Sequence, residues 1–145
     1  MMKPKIVLQI AILCIVIHLL GHLVGHFTWK DSTGDATREE VIRQMVEYRF
    51  DFMGTSRSMG DYYEGYSALL LVEYLVLILV LWAISGIIKQ QPHTARKLLA
   101  PTSLGLLAFG ILEFVYFFPF AAIMSTLAGV LTFISMIGLR EPKSK

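Results

Sequence analysis

The chain has 145 residues, of which 55 % are apolar and 17 % charged, with 13 Lys and Arg against 11 Asp and Glu. Soluble domains carry about 25 % charged residues, so this balance excludes a disordered chain, a nucleic-acid binder built on basic patches and an ordinary cytosolic enzyme. One cysteine, Cys14, excludes an internal disulfide, a CxxC redox pair and a Cys-ligated structural zinc.

Ile6 to Phe27 contains no Lys, Arg, Asp or Glu. A bilayer's hydrocarbon core takes about 20 helical residues, so this stretch is predicted to span it. Lys3 and Lys5 precede it as in a secretory signal peptide. The stretch is too long for a signal h-region, and no A-x-A-like cleavage site follows, so the segment is expected to be retained. His18, His22 and His26 advance by four residues each, which at 100° per residue makes a stripe drifting by about 40° per step. Gly21 and Gly25 form a G-x-x-x-G beside that stripe, a pattern that lets a neighbouring helix approach closely. Cys14 falls in the apolar part of the same span and reads as a small core residue.

Residues 28–65 are the polar part of the chain. Thr37-Arg38-Glu39-Glu40 reads as a capping box. Val41, Met45, Tyr48 and Phe52 then recur at helical spacing, predicting an amphipathic helix from about Thr37 to Met53, ended by Gly54. Its apolar stripe suits a bilayer surface or a cap over the mouth of a helix bundle. Between Gly54 and Ser67 lie Arg57, Asp61, Glu64 and the tyrosines Tyr62, Tyr63 and Tyr66. Ser56, Arg57 and Ser58 offer a forked donor and two hydroxyls to a lipid phosphate or another anion. The competing reading is a turn followed by an interfacial tyrosine girdle, which membrane proteins of any function carry.

Tyr66 to Ile88 holds one ionisable residue, Glu73, and Leu98 to Leu139 holds one, Glu113, with Pro119 in its middle. Proline disfavours helix just before itself, so the long run is predicted to be two spans joined by a tight turn. The expected fold is all-α: a four-helix transmembrane bundle, with helices at about 6–27, 66–88, 98–118 and 120–139, plus an amphipathic helix in the outer loop. All of 1–145 is expected to form a single integral membrane domain.

Lys3 and Lys5, then Lys89, Arg96 and Lys97, then Arg140, Lys143 and Lys145 against Glu141, mark one side. Residues 28–65 carry five basic and eight acidic residues. The positive-inside rule therefore puts both termini and the 89–97 loop in the cytoplasm of a bacterial inner membrane, with 28–65 outside. In that threading His18, His22, His26, Glu73 and Glu113 all fall in the outer half of the bilayer. Buried ionisable groups in a span are costly and mark functional sites by default, so a shared polar cavity is expected there.

Three chemistries fit. His22 and His26 at i and i+4, with His18 deeper and Glu73 or Glu113 completing the set, suit a divalent metal with one open position. No general-base Glu follows the first His, so this is not a metalloprotease signature. A Glu/His cluster can also act as general acid and base on a small amphipathic substrate, or as a proton relay. Or these groups hydrogen-bond one another and only lock the helices in register. Arg57, Asp61, Tyr62 and Tyr63 are the candidate contacts for a ligand or lipid headgroup at the rim. The expected surroundings are the bilayer and a small amphipathic ligand, not nucleic acid, and a homo-oligomer is compatible with the sequence.

The run Phe50-Asp51-Phe52-Met53-Gly54, then Arg57-Ser58 and Asp61-Tyr62-Tyr63, together with the G-H-x-x-G-H of Gly21 to His26, resembles an uncharacterised family of small four-helix bacterial integral membrane proteins. That resemblance implies a four-helix membrane fold and supplies no activity. The helix count is also similar to that of DoxX-like and emopamil-binding-protein-like membrane proteins, at the level of fold alone. The leading functional expectation is a metal or small-ligand site; an enzyme, a transporter and an accessory subunit all stay open.

Overall fold

A computed structural model describes residues 3–139. The basic tail from Arg140 onward, used above for orientation, lies outside the described residues. The element order is α1 (Pro4–Thr28), α2 (Ala36–Glu47), β1 (Arg49–Phe52), β2 (Thr55–Ser58), α3 (Met59–Ile87), α4 (Pro92–Tyr116) and α5 (Pro119–Ile137). Helices α1, α3, α4 and α5 are each long and apolar enough to cross a membrane. Three of the four begin with proline at or next to their first helical position, where its missing N–H costs nothing.

The chain divides into two compact units, one comprising the residues up to Leu19 and from Tyr74 onward, the other Leu20–Glu73. In the first, the core is made by Leu8, Ala11 and Ile15 of α1, Tyr74, Leu81 and Ile84 of α3, Leu99 and Leu106 of α4, and Ala121 and Ala128 of α5. The small stripe Ser125, Ala128, Thr132 and Ser135 of α5 is buried, as its residue sizes lead one to expect of a packing face. Close approach of α4 and α5 depends on two glycines. A Cβ at Gly110 would meet Thr126 Oγ1 at 2.2 Å and its backbone N at 3.0 Å; one at Gly129 would meet Leu107 Cγ at 2.9 Å. Gly25, the second glycine of the G-x-x-x-G of α1, plays no such part, because a Cβ there would meet open space.

Pro101 sits inside α4, where it lacks the N–H that the carbonyl four residues earlier would accept. Around it, Thr102 Oγ1 donates to the Leu98 carbonyl (2.8 Å) and Ser103 Oγ to that of Ala100 (2.9 Å). Large side chains such as Trp82, Leu104, Ile111 and Ile137 point away from the protein. So much exposed apolar surface would be a liability in water, and it is what a bilayer requires.

In the second unit the structure corrects the sequence reading of 28–65. The predicted helix from Thr37 to Met53 stops at Glu47, and the next residues form an antiparallel hairpin pairing Arg49 with Ser58 and Phe52 with Thr55. Met53 and Gly54 join the strands with φ of 51° and 78°, the positive-φ pair that a two-residue hairpin turn demands. The expected capping box at Thr37 is not the one used either. Asp35 caps α2, accepting from the backbone N of Thr37 (2.9 Å) and Arg38 (3.2 Å), while Glu39 reaches back to the Ser32 hydroxyl and the Gly34 N–H. A reciprocal box stands instead at the start of α3, where Ser58 N donates to Asp61 Oδ2 (3.0 Å) and Asp61 N to Ser58 Oγ (3.1 Å). Nor is Val41 on the covered side of α2; that side is half-buried Ile42 and Met45, with Val46 close to Gly60.

Exposed α2 is thus held by caps and ion pairs. Arg43 bridges Glu40 (2.7 Å) and Glu47 (2.6 Å), which raises the proton affinity of its guanidinium. Bonds from Arg43 and Gln44 hold the Glu40 carboxyl below its usual range, and bonds from Ser32 and Gly34 do the same for Glu39. A carboxyl whose folded pKa is depressed adds stability that is present above its unfolded pKa and lost as pH falls through the folded one. Amide exchange of residues 36–47 should therefore be steady from neutral pH down to the ordinary carboxylate range and quicken below it. Salt should weaken the Arg43 contribution but not the Asp35 cap. Exchange that quickens well above the carboxylate range would contradict this.

Candidate functional site

Buried ionisable groups converge in the first unit. His18 of α1 and Glu113 of α4 are 4 % and 5 % exposed. Tyr74 of α3 donates its hydroxyl to Glu113 Oε1 at 2.7 Å. His18 Nε2 lies 3.3 Å from that hydroxyl and 3.5 Å from Glu113 Oε1, and His18 Nδ1 lies 3.1 Å from Ser125 Oγ on α5. Since the Tyr74 proton goes to Glu113, Nε2 faces two acceptors and must itself be the donor. Nδ1 then accepts from Ser125 in the neutral ring or donates to it in the charged one. The tyrosine ring stands 4.6 Å from the imidazole, and Phe120 presents its edge at 6.5 Å. Each of the four long helices contributes one polar side chain.

One atom is left over. Glu113 Oε2 is buried and has no hydrogen-bond partner among the described residues. Native proteins seldom leave a buried acceptor in that condition, so it calls for a proton or a small donor.

The other two α1 histidines belong to the second unit and serve a different residue. His26 Nδ1 lies 2.9 Å and His22 Nε2 3.0 Å from Ser67 Oγ, and His22 Nε2 is 3.2 Å from the Ser67 carbonyl. A hydroxyl has one proton to give, so Ser67 donates to one ring and accepts from the other. Glu73 is exposed on the apolar face of α3. The three-ligand set expected from His22, His26 and a glutamate is not gathered: among the described residues no group of three or more His, Cys, Asp or Glu could hold a metal.

The expected rim residues also separate. Arg57, Asp61 and Tyr62 line a groove of about 420 Å³ together with Phe52, Met53, Tyr66 and Leu69. Tyr63 packs on Trp29, with ring centroids 4.7 Å apart, beside the Lys30–Glu64 ion pair at 2.6 Å. Asp61 is occupied as the cap of α3 and by Arg49 at 3.2 Å. Tyr74, Ser125 and Ser67 carried no functional expectation. Ser67 and Tyr74 are seven residues apart on one face of α3, and Ser125 belonged to a stripe read only as packing. No protein-family model, curated protein or solved structure matches the chain.

Proposed function

We propose that this is a polytopic membrane protein in which His18, Tyr74 and Glu113 form a buried acid/base centre that takes up and releases one proton. Such a centre serves proton-coupled movement, or acid/base chemistry, on a small amphipathic ligand. The observation that carries this reading is the partnerless Glu113 Oε2. A proton placed there completes the carboxyl and leaves Oε1 with the Tyr74 hydroxyl. Delivery from a charged His18 reaches the other oxygen through Tyr74: Nε2–H passes to the Tyr74 oxygen as the Tyr74 hydroxyl proton passes to Glu113 Oε1, leaving a neutral imidazole protonated on Nδ1 and a neutral carboxyl. The charge pattern of the loops supports an inner-membrane threading with 28–65 outside and the chain's ends in the cytoplasm.

The second reading is a cluster that only locks the helices, favoured by its one contribution from each long helix. A lock has no use for an open acceptor, which is why we place it second. A divalent-metal site lacks the corresponding support, since no ligand group is assembled among the described residues.

Infrared difference spectra of the protein in lipid vesicles, recorded while the pH is stepped, distinguish the two. A protonated-carboxyl band should appear and disappear with pH in the wild type and in Glu73→Gln, and be missing from Glu113→Gln. A wild-type spectrum with no such band, or one that Glu113→Gln leaves intact, would reduce the cluster to a static lock.

A further inference from the structure

The groove of the second unit has chemistry of its own. Pairing in the hairpin sets Phe50 opposite Arg57 and Phe52 opposite Thr55. Directly opposed residues share a face of the ribbon, so Phe50, Phe52, Thr55 and Arg57 lie on one face. That face meets the start of α3, where Phe50 and Tyr62 stack at 5.9 Å and Tyr62 and Tyr66 at 6.5 Å. Tyr62, Tyr66 and Leu69 follow at helical spacing and lead from Arg57 into the apolar part of the helix.

The charges in the groove do not cancel. Asp61 is balanced by Arg49 and by the Ser58 N–H. Arg57 donates to the carbonyl of its neighbour Ser56 at 2.9 Å and, although its charge also acts on Asp61, makes no direct ion pair among the described residues. With Arg49 and Arg57 against Asp61, the polar end of the groove keeps a net positive charge, and the groove turns apolar toward Leu69. The hairpin tip adds an independent indication. Met53 holds φ 51° and is 89 % exposed, although Asn or Gly would take that backbone more cheaply. An exposed methionine beside an exposed Phe52 suits a tip in contact with lipid.

We propose that this groove is a binding site for an anionic phospholipid, with the phosphate on the Arg57 fork, the glycerol region against Tyr62 and Tyr66, and an acyl chain along Leu69. The site stands on residues separate from the acid/base centre, so either proposal can fail alone. The fork supplies the headgroup preference and the tyrosines and Leu69 the chain contact.

The test is lipid retention by native mass spectrometry and thermal shift in detergent. Three probes are used: palmitoyl-oleoyl phosphatidylglycerol, phosphatidylcholine with the same chains, and inorganic phosphate. Phosphatidylglycerol should bind and raise the melting temperature, phosphatidylcholine should do so less, and phosphate should neither bind nor compete. Arg57→Gln should weaken phosphatidylglycerol binding by about tenfold, as loss of a charge-assisted fork requires, with Arg57→Lys intermediate. The hydrogen bond of Arg57 stays within its own strand and its charge acts on Asp61 only at a distance, so the variant should keep nearly the wild-type melting temperature without lipid. Arg43→Gln, which removes the same charge from α2, should bind as the wild type does. The proposal is overturned by equal retention of the two lipids, by equal losses in Arg57→Gln and Arg43→Gln, or by displacement with free phosphate.

Discussion

Replacing Glu113 with alanine should cost this protein about 3 kcal/mol of stability, because the change removes the close acceptor of the buried Tyr74 hydroxyl (about 1–3 kcal/mol), leaving it the longer contact to His18, and opens a cavity beside His18. The comparison that makes this informative is the ordinary interhelical hydrogen bond in a membrane protein, worth about 0.6 kcal/mol on average. Ser125→Ala removes only such a bond, the one to His18 Nδ1, and should cost close to that average. Glu113→Gln keeps the volume and an acceptor for Tyr74 and should fall between. Reversible unfolding in mixed micelles measures all three. Equal losses in Glu113→Ala and Ser125→Ala would mean that the carboxyl carries no special load, and the acid/base centre would lose its structural basis.

The parts legible in the sequence are those fixed by strong, one-dimensional constraints. A hydrocarbon slab sets the length of a span, so the four apolar helices could be read from the distribution of charge alone, with most ends within two residues but α3 and α4 starting seven and six residues earlier than expected. Pro119 marked the turn before α5 because ring chemistry permits little else there. Tyr48 to Phe52 went wrong because two periods coincide. Val41, Met45, Tyr48 and Phe52 match a helix, while Tyr48-Arg49-Phe50-Asp51-Phe52 alternates aromatic with charged residues, a strand pattern ending at Met53-Gly54. The turn decided the outcome, since its positive φ pair closes a hairpin and ends any helix.

The candidate site was half legible for a related reason. His18 and Glu113 stand out because charge in an apolar span demands an explanation. Tyr74, Ser125 and Ser67 do not stand out, since hydroxyls are cheap in such spans, yet they decide which ionisable groups share a cluster. His18, His22 and His26 form one stripe in sequence. In the structure Tyr74 and Ser125 engage His18 while Ser67 engages the other two. Equally, a glycine's packing role depends on what stands opposite it, which spacing on its own helix cannot tell. Gly25 sits in a G-x-x-x-G and faces open space, whereas Gly110 and Gly129 sit against Thr126 and Leu107.

That last contrast gives the other large effect. Gly110→Ala should destabilise the protein by about 1–3 kcal/mol, the usual cost of overpacking, and Gly110→Val by more. Thr126 Oγ1 can rotate out of the way of a new Cβ, but the Thr126 backbone N and Cα, at 3.0 and 3.2 Å, cannot. Helices α4 and α5 must therefore move apart. Gly105→Ala, on the same helix with nothing within 4 Å of its Cβ, should be neutral or gain up to about 1 kcal/mol from helix propensity. Adding Thr126→Ala to Gly110→Ala should recover only the part of the loss that comes from the hydroxyl. The consequence reaches the acid/base centre, because Glu113 follows Gly110 by one turn of α4 and Ser125 adjoins Thr126 on α5. Separating the two helices pulls Ser125 and Glu113 to different sides of His18. Gly110→Ala should then also move the frequency of the Glu113 carboxyl band, which reports the hydrogen bonds of that carboxyl, although it touches no member of the cluster. A wild-type band in a destabilised Gly110→Ala protein would show that the centre tolerates loose packing, and that the close α4–α5 contact serves stability alone.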